Sequence, residues 1–106
     1  MASDAGEELR SGFVSTVGGV MTEEAGAITG DLELLTHPTS EAGEAQLEVL
    51  VRYAGADDWY TVSGSPLAKP AGEEDHRASH EEALTRLTTP GPVQGGNELP
   101  VDLRGW

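Results

Sequence analysis

Cysteine is absent from this 106-residue chain, so disulfides and thiolate metal sites are excluded. Lysine is nearly absent too: Lys69 and five arginines are the only bases, against 19 acids, for a net charge of −13. A basic groove for nucleic acid is thereby excluded, and so is attraction to anionic membrane surfaces. No run approaches the ~20 apolar residues of a membrane span. The start, MASDAGEELR, is acidic and leads into no long apolar stretch, which argues against a signal peptide and for a cytoplasmic protein. Aromatics are few: Phe13, Tyr53, Trp59, Tyr60 and Trp106. Eleven Leu, eight Val, Ile28 and Phe13 make 21 of 106 residues, a thin supply for one modest core. One domain spanning 1–106 is expected, with a disordered tail over 1–8 and mobile loops about 64–78 and 90–97.

What is present is organised around 46–66. Gln46–Tyr53 alternates, with Leu47, Val49, Val51 and Tyr53 on one face, the mark of a half-buried strand. WYTVS at 59–63 is strand material, and Gly55-Ala56-Asp57-Asp58 reads as the turn between. A four-residue loop pairs Tyr53 with Tyr60 and Val51 with Val62, placing both tyrosines in the core. Trp59 then falls on the opposite face, diagonal to Arg52, within reach of a cation–π contact.

Ala27–Thr36 is a second strand, with Ile28, Leu32 and Leu34 on one face. His37–Glu44, holding Pro38, Ser40 and Gly43, reads as a loop. The pairing that follows sets Leu34 opposite Leu47, Leu32 opposite Val49, and Ile28 opposite Tyr53. Residues 9–22 carry both a helical stripe and strand residues; Gly12, Gly18 and Gly19 favour the strand, with a kink at 18–19. Ser79-His80-Glu81-Glu82 has the form of a capping box and starts a short helix over about 79–89, stopped by Pro90-Gly91. Leu99, Val101 and Leu103 alternate, and Pro100 sends that strand to a sheet edge. The fold class is α+β: an antiparallel meander of four to five strands with one short helix packed on one face.

Tests for chemistry return little. His76 and His80 stand i, i+4 among carboxylates, a spacing that can share a divalent metal on a helix. The capping box, however, starts the helix between them. Asp57-Asp58 serves turn geometry and lacks an apolar pocket to separate two pKa values. The serines near Gly64 do not form G-x-S-x-G, and the glycine pairs match no phosphate loop. No enzyme and no cofactor are expected.

The leading expectation is a non-enzymatic acidic interaction module of the inhibitor, immunity or accessory kind, binding a basic protein partner. Its surface would be Trp59, Asp57, Asp58, Arg52 and Trp106, with Trp106 folded back onto the sheet. The alternative is a metal- or small-ligand-binding protein using His76, His80 and nearby carboxylates. A third is a homodimer paired through an edge strand or the Trp59 face.

Overall fold

The computed structural model describes residues 8–41, 43–68 and 73–106, with the side chains of 41, 73 and 74 left aside. The elements in chain order are β1 (Leu9–Val14), β2 (Val20–Thr22), β3 (Gly26–Ile28), β4 (Asp31–Glu41), β5 (Glu44–Tyr53), β6 (Tyr60–Thr61), α1 (Glu73–Thr88), β7 (Val93–Gln94) and β8 (Asn97–Glu98). Four strands form an antiparallel sheet in the order β1-β4-β5-β6, and β2-β3 and β7-β8 are small hairpins. α1 packs over β1 and β4. The class is α+β. The expected tail lies outside the described residues up to position 7, as do 69–72 of the expected loop.

The central hairpin is longer and tighter than the sequence suggests. β4 runs on to Glu41 and β5 begins at Glu44, with Gly43 at φ +82°. Its register sets Leu32 opposite Tyr53, Leu34 opposite Val51, and Pro38 opposite Leu47. The expected pairs, Leu34 with Leu47 among them, are therefore displaced by four residues; an even displacement leaves every side chain on its expected face. Pro38 misled the loop reading, and its tolerance has a simple cause. Ala54 N–H donates to Asp31 O, so the odd-numbered residues of β4 bond to β5 and the even-numbered ones face β1. The N–H that Pro38 lacks is on the β1 side, beyond the end of β1 at Leu9, so the β4–β5 ladder loses nothing.

The second hairpin slips by two. Val51 stands opposite Tyr60 and Leu50 opposite Thr61. Tyr53 therefore passes beyond the end of β6, and it is 42% exposed rather than a core residue. Tyr60 does pack against the core.

The core face carries Leu32 and Leu34 from β4, Leu47, Val49 and Val51 from β5, and Leu67, which exchanges two backbone hydrogen bonds with Leu47. Ala83 and Leu87 close it from α1. β2 extends the same core. Ser63 N–H donates to Met21 O, and Val101 is bonded to both Gly19 and Met21. The C-terminal segment is thus a strap over β2, not the expected edge strand over 98–103. Pro100 cannot donate, and Val101 forms only a single parallel bridge, to Val20. Gly64 is where the strap passes closest: it sits at φ +104°, and a Cβ there would come within 2.6 Å of the Leu103 carbonyl carbon.

α1 begins at Glu73, six residues before the expected cap, and Ser79 lies inside it. The acidic run Glu73-Glu74-Asp75, read as a loop face, lies within α1, and Asp75 in its first turn suits the positive end of the helix dipole. At the other end Thr88 and Thr89 hydroxyls donate to the carbonyls of Leu84 and Thr85, the latter among the last four that end without a partner inside the helix.

Candidate functional site

Two constellations carry the polar chemistry of the described residues, one on each face of the sheet.

On the outer face, away from α1, the register aligns Arg10, Leu35 and Leu50 in one row and Gly12, Glu33 and Arg52 in the next. One step beyond β6 along its register with β5 brings Trp59 beside Arg52. The Arg52 guanidinium lies 4.4 Å from the indole centroid and that of Arg10 lies 5.5 Å away. Arg10 is on β1 and Arg52 on β5, so guanidiniums from strands on either side of β4 converge on one indole. Leu35 points to this face and belongs to no core cluster, yet it is only 4% exposed. Both arginines are also ion-paired, Arg52 to Glu33 at 2.7 Å and Arg10 to Glu8 at 3.0 Å. Glu24 accepts from the Thr61 backbone N–H and hydroxyl, and those two bonds hold its pKa below the ordinary carboxylate value. Asp57 and Asp58 are exposed in the adjoining turn. Glu8 and Glu33 thus pair with the two guanidiniums at the indole, Glu24 is bonded to Thr61 two residues on from it, and Asp57 and Asp58 directly precede it in the chain.

Trp106 is not part of this group. Its ring stacks under Arg86 of α1, 4.9 Å from guanidinium to centroid, and packs on the core. The two tryptophans sit on opposite faces of the sheet, so of the expected binding residues the structure unites Trp59, Arg52, Asp57 and Asp58 and separates Trp106. An open cleft of about 390 Å³ lies near Arg86, between the end of α1 and the strap. Its two charged side chains already have ion-pair partners: Arg86 with Glu82 and Asp102 with Arg104.

On the inner face the expected separation of His76 and His80 is overturned. Both lie within α1, and the buried stripe of the helix is His76, His80, Ala83 and Leu87. Each imidazole is 5% exposed. His76 Nε2 and His80 Nδ1 converge on Thr36 Oγ1, at 2.8 and 2.7 Å, while His80 Nε2 meets Ser11 Oγ at 2.8 Å. Thr36 and Ser11 are core-facing positions of β4 and β1. Burial lowers the His80 pKa from its ordinary value of 6.5, the neighbouring His76 lowers it further, and Glu81 opposes both.

Serine, imidazole and an orienting group in sequence resemble a nucleophilic set, but the third group is a hydroxyl and not a carboxylate. Glu81 favours the imidazolium that a general base must become, but burial and the neighbouring His76 oppose it. Nor do three or more His, Asp or Glu side chains converge as a metal centre among the described residues. The point at which two imidazole nitrogens meet is filled by Thr36. Sequence reading singled out His76 and His80 but missed Ser11 and Thr36, since hydroxyls paired across 69 and 44 residues from His80 leave no local pattern.

No protein-family model, no curated protein and no solved structure matches the chain. No helix among the described residues is long and apolar enough to cross a membrane.

Proposed function

We propose that the chain is a non-enzymatic, cytoplasmic interaction module whose outer sheet face, centred on Trp59, binds a basic protein partner. The observation that carries this reading is the half-buried Trp59 indole held by the guanidiniums of Arg10 and Arg52 on the face α1 leaves open, with Asp57 and Asp58 exposed in the adjoining turn. Large aromatic side chains ringed by charge are typical anchors of protein interfaces. Arg10 and Arg52 fix the indole and are neutralised by Glu8 and Glu33, so Glu24, Asp57 and Asp58 supply the charge a partner meets. Trp106 has no role in this surface.

The test is capture from the native lysate on immobilised wild-type chain and on Trp59→Ala. Association kinetics of the captured protein are then measured from about 0.01 to about 0.15 M salt, over which the Debye length falls from roughly 30 to 8 Å. An acid-driven encounter slows as salt rises, and Trp59→Ala, which keeps the carboxylates but loses the anchor, dissociates faster. Binding indifferent to both would refute the assignment.

The metal-binding alternative is less favoured, because Thr36 Oγ1 occupies the point between His76 and His80. Micromolar zinc that shifts the signals of both histidines would reverse that preference.

A further inference from the structure

The histidine pair is the largest investment of buried polar groups among the described residues, and the partner-binding surface does not use it. The four groups Ser11, His80, Thr36 and His76 are joined by three hydrogen bonds, and with both rings neutral each bond has one hydrogen. Two directions satisfy the chain. Either Ser11 donates to His80, His80 to Thr36, and Thr36 to His76, or every arrow is reversed. These bonds tie α1 to β1 and to β4 at the same time, and apart from Ala83 and Leu87 they are what the buried stripe of the helix offers the sheet.

Protons change this balance. A proton on His80 leaves the bonds satisfiable, since both ring nitrogens then donate, but it buries a charge. The charged groups that act on His80 among the described residues are His76 and Glu81. The other charged side chains nearby on α1, Asp75 and Arg77, are exposed. From the sheet, β1 presents Leu9, Ser11 and Phe13, and β4 presents Leu34, Thr36 and Pro38, none of them charged.

We propose that the Ser11–His80–Thr36–His76 chain is a proton-operated clasp, which holds α1 on the sheet while the His80 imidazole is neutral and releases it in mildly acidic solution. The release is local. The β4–β5 ladder contains no buried titratable side chain, and it persists when α1 lifts. Below the ordinary imidazole value of 6.5, each unit of pH shifts the open-to-closed ratio by up to about tenfold for every proton taken up.

The test is amide hydrogen exchange on the full chain from about pH 7.5 to about pH 5.5, corrected for intrinsic rates, with the histidine side-chain signals followed by NMR. Protection at Ala83, Leu84 and Leu87 falls about tenfold across the last unit of pH, while Leu34 and Val51 keep theirs. His80→Gln keeps a donor and an acceptor but cannot titrate, and it removes the response to His80. Should that variant not fold, Ser11→Ala, at the rim of the chain, loosens α1 at every pH. Unchanged α1 protection down to pH ~5.5 would overturn the proposal. So would parallel loss at Leu34 and Val51, or a His80→Gln or Ser11→Ala profile identical to wild type.

Discussion

Arg52 makes two contacts at once: its guanidinium lies 4.4 Å from the Trp59 ring centroid, and the same group holds Glu33 at 2.7 Å. The carboxylate orients the plane and the plane orients the indole. The outer face therefore presents Trp59 in one fixed pose rather than as a loose side chain. A fixed aromatic loses less entropy when a partner covers it.

The first prediction removes that support. Arg52→Met keeps the aliphatic stem but loses the stacking and the ion pair, and both contacts are partly screened by solvent. Urea unfolding is expected to show a loss of about 1 kcal/mol. Trp59 fluorescence shifts to the red in the folded state as water reaches the ring. Arg52→Lys recovers less than half of the loss, because an ammonium cannot stack as a plane.

The second concerns Thr36. Thr36→Val has nearly the same shape but strands His76 Nε2 and His80 Nδ1 without the hydroxyl they share. The expected cost is roughly 2–3 kcal/mol by urea midpoint, because buried polar atoms left unpaired lose their full hydration. Thr36→Ser restores the hydroxyl and stays within about 1 kcal/mol of wild type.

The third is the pH profile of global stability. His80 is held below its ordinary value of 6.5 in the fold, so the unfolded chain binds the proton more readily. Its contribution is complete above pH 6.5 and is lost as pH falls from there towards the folded value. The slope reaches at most ~1.4 kcal/mol per pH unit for that one group. Glu24 is also lowered, from 4.5, so its contribution is present above that value and fades only in more acidic solution. Urea midpoints between about pH 7.5 and about pH 5 therefore isolate the histidine. His80→Gln flattens the profile there.

The fourth is Gly64→Ala. A positive φ of 104° and a Cβ placed 2.6 Å from the Leu103 carbonyl carbon leave no room for alanine without moving the strap. A loss of about 1–3 kcal/mol is expected in thermal or urea unfolding. Gly43→Ala, with nothing within 4 Å, bears only the backbone term and loses less.

Some of these features could be seen in the sequence, and others could not, for identifiable reasons. The alternation of Leu47, Val49 and Val51 is a local signal, and it places β5 and its faces correctly. The exact register needed a long-range fact, namely which edge of β4 is bonded to which neighbour. Without that, Pro38 looks like a loop residue. The start of α1 was hidden because half of its buried stripe is histidine: scanning for apolar residues begins the helix near Ala83, and the S-x-x-E at Ser79 confirms the error. Trp59 opposite to the core followed from parity alone, which survives an even slip in register. Tyr53 did not, since its exposure depends on where β6 stops. Ser11 and Thr36 were beyond reach, because only folding brings them to His80.

The most direct measurement of the central claim is the association rate of the wild-type chain with its captured partner, set beside that of Trp59→Ala, across the same range of salt. The account predicts a wild-type rate that falls steeply with salt and a variant that dissociates at least tenfold faster, as for loss of an interface anchor worth about 1.4 kcal/mol or more. A salt-independent rate with equal dissociation from both proteins would contradict it.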